Sequence, residues 1–296
     1  MSAPTPDPSA RRAATLRSMA WMLAAGVQFA LLNAIARMMT ESLEPPQVQF
    51  LRYLAGLVVM LPWMLRSGLA HWKPHDVKGQ FWRGAVHTAG LLMWFLALPH
   101  VPLADITAIG FTTPLFIMAG AMVFLREPFV GARWVAAGIG LIGVCVVLWP
   151  KLSGGGDPFW SLVMLASTPV FAASFLITKA LTRRDRPEVI VAWQGITISL
   201  LTLPFALPGW TWPSAEIWVW ALLAGLLGSC GHYCMTEALR LADTSATQPV
   251  RFLDLLWASL TGFVFFAEAP TAWTFAGAAI ILASTTWIAR RESRRG

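Results

Sequence analysis

From Met19 to Ile288 the chain is a nearly unbroken series of apolar windows separated by short polar breaks. A helix rises 1.5 Å per residue and needs about 20 apolar residues to cross hydrocarbon roughly 30 Å thick, so this spacing commits the chain to repeated membrane crossings. The windows fall at 19–38, 47–65, 80–98, 103–124, 132–149, 158–179, 188–207, 215–236, 242–266 and 271–289. Backbone groups in hydrocarbon must pair within their own segment, and the alternation expected of barrel strands is absent, so the spans are helices. Composition agrees: 12% of residues are charged, against roughly 25% in soluble domains. The fold expected is an all-α membrane protein of ten transmembrane helices, with the lipid bilayer as its solvent.

A net charge of +7 points to nucleic acid only where basic residues gather on one face. Here they lie in and beside the breaks, so no nucleic-acid partner is expected and the charges report topology instead. Arg66, Lys73, Lys78 and Arg83, then Arg126 and Arg133, then Lys179, Arg183, Arg184 and Arg186 occupy every second connection. Arg11, Arg12, Arg17, Arg240, Arg290, Arg291, Arg294 and Arg295 fall on the same side, opposite Arg37 and Lys151. Both termini are therefore expected in the cytoplasm, in a multi-pass plasma-membrane protein (the inner membrane if the source is a Gram-negative bacterium). Residues 1–18 read as a polar cytoplasmic tail, because the apolar stretch that follows is too long for a cleaved export signal. Residues 291–296 read as a basic cytoplasmic tail.

Laid over itself with a shift of roughly 140 residues, the chain repeats. Arg37 meets Lys179, Leu61-Pro62 meets Leu203-Pro204, Leu103-Ala104-Asp105 meets Leu241-Ala242-Asp243, Glu127 meets Glu268, and Trp134 with Ala137-Gly138 meets Trp273 with Ala276-Gly277. Five spans per repeat is odd, so the halves 19–150 and 158–290 enter the membrane from opposite sides as two inverted five-helix repeats. The Gly/Ser run within 151–157 is the linker. No phosphate-binding Walker sequence occurs, which leaves no direct ATP drive in this chain. Cys145, Cys230 and Cys234 lie inside apolar segments, and Cys230-Gly-His232-Tyr-Cys234 lacks a second ligand group, so neither a disulfide framework nor a metal site is expected.

The run Leu103-Ala104-Asp105-Ile106-Thr107-Ala108, continuing through Phe111-Thr112-Thr113-Pro114 to Arg126-Glu127-Pro128, resembles the EamA domain of the drug/metabolite transporter superfamily. Leu241 to Pro249, closing on Glu268, repeats the pattern, and Phe50-Leu51-Arg52-Tyr53 adds to it. The resemblance covers about residues 19–290. It implies an alternating-access carrier of a small-molecule substrate, with amino-acid export as the first expectation and import of a vitamin or cofactor such as riboflavin or S-adenosylmethionine as the alternative. Arg52 aligns with Gln194, so any role of that arginine is not duplicated.

Charged groups at membrane depth usually face a cavity or a partner. Arg251 and Asp254 share one helical face: either they pair locally, or Arg251 takes a substrate carboxylate while Asp254 accepts a proton or an amine. His87 and His232 fall in repeat-related spans and are either packed polar residues or ligand contacts. Trp94 is a candidate for stacking on a planar or cationic substrate, against a packing role. Pro114 and Pro249, at corresponding places, and Pro169 are candidate hinges. Thr113, Thr168, Ser174 and Gln248, with Thr112, complete the candidate substrate site. Asp105 and Asp243 read as helix caps, and Glu127 and Glu268 as facing the start of the span that follows each of them. Small faces at Gly138, Gly140 and Gly143 and at Ala276, Gly277 and Ala279 suit close helix packing or a dimer contact. No cofactor is expected, and the chain is read as a monomer or homodimer. A lipid-modifying enzyme needs clustered acid, base and nucleophile or metal groups, and none is assembled in the sequence. A receptor without transport is disfavoured by a repeat that supplies two interchangeable states.

Overall fold

A computed structural model describes residues 8–97, 100–101, 109–151, 157–267 and 269–294. The described residues form helices joined by turns and short 3₁₀ segments, without strands. They are α1 Pro8–Met39, α2 Pro45–Ser67, α3 Val77–Ala97, α4 Thr113–Phe124, α5 Gly131–Leu148, α6 Pro158–Leu181, α7 Pro187–Ala206, α8 Ala215–Leu241, α9 Thr244–Phe266 and α10 Ala272–Arg294. Eight helices among the described residues are long and apolar enough to cross a bilayer, and α4 is a shorter apolar helix. α3 is long enough but carries Lys78, Arg83 and His87, which lower its hydropathy. The fold is that of an all-α, multi-pass membrane protein.

Several boundaries differ from those read in the sequence. Residues 8–18, expected in a tail, belong to α1: nothing between Ser9 and Met39 breaks a helix, and buried Ser18 donates to the Ala238 carbonyl at 2.6 Å. α10 likewise runs past residue 290 to Arg294, where basic side chains suit a helix C-terminus. Of the span read at 103–124, residues 102–108 lie outside the described residues. Residues 109–110 are helical and a turn at 111–112 precedes α4. Residues 152–156 of the linker, Asp105 and Glu268 also lie outside the described residues.

Long-range packing is reciprocal. α1 packs on α8 and α3 on α6; α2 packs on α8 and α3 on α7; α4 packs on α6 and the C-terminal part of α9 on α1. α2 with α7 and α5 with α10 complete the set. The left-handed backbone positions follow the same order. Gly68 (φ 77°) closes α2 and Gly209 (φ 79°) follows α7; Arg126 (φ 57°) follows α4 and Ala267 (φ 54°) follows α9. Each pair is related by the shift of about 140 residues found in the sequence.

Glycine sets the two closest crossings. A Cβ at Gly225 would collide with the Gly56 backbone nitrogen, so α2 and α8 touch backbone to backbone there. Gly277 and Gly143 do the same for α10 and α5, which assigns that small face to internal packing, whereas a Cβ at Gly138 would meet nothing within 4 Å. We expect Gly225→Ala to destabilise the protein by about 1–3 kcal/mol, the usual penalty of overpacking. Thermal unfolding in detergent should show a lowered midpoint for this variant and an unchanged one for Gly138→Ala.

Candidate substrate-binding site

Hydrocarbon offers no hydrogen bonds, so polar side chains on these helices turn inward and meet one another. The largest assembly lies where α2, α3, α6, α7 and α8 converge. Arg83, fully inside α3, donates through Nε to Thr178 Oγ1, through Nη1 to the Ile190 carbonyl at 3.4 Å and through Nη2 to Gln194 Oε1 at 2.8 Å. That last bond fixes the Gln194 amide, so its Nε2 donates toward Tyr53 Oη (3.3 Å) and the His232 ring (3.2 Å). Tyr53 Oη also accepts from Arg52 Nη2 at 3.1 Å, which leaves its proton for His87 Nε2 at 3.4 Å. His87 Nδ1–H then donates to Ser174 Oγ at 3.3 Å, a tautomer that follows from the direction of the chain.

Aromatic rings wall this chain. Phe29 packs edge-on against His232 at 4.9 Å, Phe171 against His87 at 5.4 Å, and Tyr53 lies near-parallel to His232 at 6.2 Å. Arg52, Tyr53, Gly56, Gln194, Gly228 and His232 line a crevice of about 10 Å³, room for about one water. Small-molecule sites usually span roughly 300–1,000 Å³, so in this conformation the crevice is closed down around its polar groups.

The expected site residues divide into four groups. His87, Ser174 and His232 meet in the central chain. Thr168 is at a second locus, accepting from Thr112 at 3.3 Å while donating to the Leu165 carbonyl at 2.8 Å. Arg251 and Asp254 pair loosely at 3.8 Å; the guanidinium lies 4.7 Å from the Phe175 ring, its Nη1 is buried with no hydrogen-bond acceptor among the described residues, and Asp254 Oδ1 presses against α1 at Gly26. The rest are placed otherwise. Gln248 turns back on its own helix to the Thr244 carbonyl and Thr247 Oγ1, both at 3.1 Å. Trp94 packs on the cluster of Ala97, Val101 and Met164, away from the central crevice. Thr113 is buried at the start of α4.

The prolines also differ from one another. Pro249 lies in a 3₁₀ stretch, Gln248–Leu253, that interrupts α9. Pro169 sits inside α6. Pro114 stands in the first turn of α4, just after the break at 111–112, where a missing donor costs nothing. Sequence reasoning missed Arg83 as a site residue by counting it with a connection. The available signal was its spacing of four from His87, which puts both on one helical face.

A second polar assembly ties α4 and α5 to α8, α9 and α10. The Glu127 carboxylate accepts from the backbone nitrogens of Thr244 (2.6 Å) and Ser245 (2.9 Å) and from Ser245 Oγ (2.8 Å), so it, rather than Asp243, caps α9. Arg133 reaches Glu292 at 3.0 Å, Asp243 at 3.2 Å and Ser245 Oγ at 2.8 Å. Lys179 donates to the Leu239 carbonyl and, at 2.6 Å, to that of Ala242, at the end of α8.

A bundle of membrane-crossing helices around a polar crevice, with a second, ion-paired assembly between its helices, is the architecture of a membrane transporter of small molecules. Residues 16–149 and 158–290 each match the EamA-like transporter family, and the chain belongs to that family. It is 35% identical over 279 residues to a riboflavin transporter of Rhizobium johnstonii, covering 93% of this chain and 91% of that protein. It is 26% identical to an S-adenosylmethionine uptake transporter of Rickettsia felis, covering 94% of each. A crystal structure 19% identical in sequence superposes with a TM-score of 0.78 over 93% of this chain and 98% of its own, which shows the fold.

Arg133→Ala leaves Glu292 buried without its cation. We expect a loss of about 3–5 kcal/mol, read as a lowered unfolding midpoint in detergent, with Arg133→Lys losing less.

Proposed function

We propose that the chain is an alternating-access uptake carrier of a vitamin or cofactor that bears a planar heteroaromatic group. Its ten spans act as two inverted five-helix halves that rock about the central crevice. The observation that carries this reading is the crevice itself: aromatic rings suited to a flat ligand surround a file of donors, between helices of both halves. The reciprocal packing and the paired left-handed positions support the inverted halves. The two relatives, named for riboflavin and for S-adenosylmethionine uptake, both carry compounds with such a ring system, and the second name gives the inward direction.

Amino-acid export, the first expectation from sequence, fits less well. A zwitterion needs a carboxylate for its ammonium group as well as a cation for its carboxylate. The central crevice has no carboxylate among its lining residues, and Asp254 lies with Arg251 elsewhere.

In this reading the Glu127, Arg133 and Lys179 assembly is the cytoplasmic gate, closed in this conformation. Gln248–Leu253 and the break before Pro114 are the flexing points, since 3₁₀ interruptions and proline mark hinges in carrier helices. Arg251 and Asp254 face the path between the halves.

Purified protein in proteoliposomes should take up labelled riboflavin or S-adenosylmethionine saturably, and labelled amino acids no faster than protein-free vesicles. Uptake of amino acids alone contradicts the proposal. Epitope tags at the two ends should report one and the same compartment; tags in different compartments rule out five-span inverted halves. Glu127→Gln should raise the reactivity of a cysteine placed at Ser245 toward a polar thiol reagent, because the gate loses its anionic cap.

A further inference from the structure

Arg52 lines the central crevice and Arg83 stands behind it, bonded to the lining residue Gln194; among the described residues neither has a carboxylate partner within 4.0 Å. Arg83 is spent on neutral acceptors: Thr178, the Ile190 carbonyl and Gln194. Arg52 is not. One of its nitrogens donates to Tyr53 Oη and its carbon lies 4.7 Å from the Tyr53 ring centre, but its Nε is buried with no acceptor among the described residues. That Nε faces α8 across the crevice, where a Cβ on Gly228 would stand 3.9 Å away. Leu32 would stand 3.7 Å from the same Cβ, so the glycine keeps a narrow gap beside the guanidinium.

An unpaired donor on a buried cation is expensive to leave unmade, and a guanidinium presents its donors as a planar fork. The fork lies over the Tyr53 ring at a crevice that Tyr53, Gln194 and His232 also line, with Phe29 and His87 packed against His232. Gln194 Nε2, oriented by Arg83, adds a neighbouring donor. The lumen is therefore rich in donors and net positive, since Arg251 and Asp254 cancel each other at their own locus.

We infer that the crevice reads the acceptor edge of a flat, uncharged or anionic heteroaromatic ring, its carbonyl oxygens and ring nitrogens seated on Arg52 and Gln194, and that it turns away cations. An isoalloxazine-type ring, with two carbonyls and adjacent ring nitrogens, meets this demand. A sulfonium compound such as S-adenosylmethionine brings a positive charge against two arginines in a medium of low dielectric. This rests on the carrier reading above and chooses between the two substrates it leaves open.

The test is competition in the wild-type protein, which needs no variant to fold. Labelled riboflavin uptake into proteoliposomes is measured with lumichrome, the flavin-like ring without its sugar chain, or with S-adenosylmethionine as competitor. Lumichrome should compete at least about tenfold more strongly, the order expected for hydrogen bonds to a buried charged donor. Arg52→Gln should raise the KM for riboflavin about tenfold and narrow the gap between the two competitors; Arg52→Lys, which keeps the charge without the fork, should fall between. Equal competition by S-adenosylmethionine in the wild type, or an unchanged KM in Arg52→Gln, overturns the inference and leaves a carrier of another selectivity. Saturable quenching of lumichrome fluorescence by the detergent-solubilised protein, without any uptake, upholds the site and removes the carrier reading. The absence of both flavin binding and flavin uptake overturns the inference.

Discussion

A polar side chain carried into hydrocarbon has no water to turn to, and everything distinctive in this protein follows from where those side chains find partners. Arg83 is the clearest case. Placed inside α3, it reaches α6 through Thr178 and α7 through Ile190 and Gln194. By satisfying the guanidinium, these helices are held together and the Gln194 amide is fixed with its donor toward Tyr53 and His232. The direction of every later bond, through Tyr53 to His87 and Ser174, follows from that one orientation.

The same constraint explains why the two polar assemblies differ. In the centre, donors outnumber strong acceptors and, among the described residues, Arg52 Nε has no acceptor. In the second assembly, charges are met: Arg133 by two carboxylates, and Glu127 by two backbone nitrogens and a hydroxyl. Matched charges suit a contact that must form and break as a unit, because separating them exposes both partners to water. An unmatched centre suits a ligand that supplies what is missing. The glycine crossings at Gly56 with Gly225 and Gly143 with Gly277 let the backbones approach closely enough for both assemblies to form.

Much of the fold was legible in the sequence because length and hydropathy are strong signals in lipid. The helices α2, α5, α6, α7 and α8 fall within a few residues of their apolar windows. The affinity of Glu127 for a helix start was visible as chemistry, but the start it meets is that of α9 and not that of the following span, α5, because folding brings Thr244 and Ser245 to it. The site was harder. A helix whose outer face meets lipid and whose inner face meets other helices is apolar on both, so periodicity says little about which residues point inward. Arg83 looked like a boundary charge, Trp94 like a stacking platform, and Gln248 like a lumen residue. Only packing shows that Arg83 is interior, that Trp94 fills an apolar cluster, and that Gln248 bonds its own helix. His87 and His232 were found because histidine in a span is rare enough to draw attention, yet their link through Tyr53 and Gln194 needed the structure.

The central claim is that the Glu127 seam must open for solute to pass. With Cys145, Cys230 and Cys234 replaced, the substitutions Glu127→Cys and Ser245→Cys place two thiols across that seam, to be joined by oxidation in proteoliposomes. The account predicts that the cross-linked protein carries no solute and that reduction restores uptake. Undiminished uptake with the cross-link intact would contradict it.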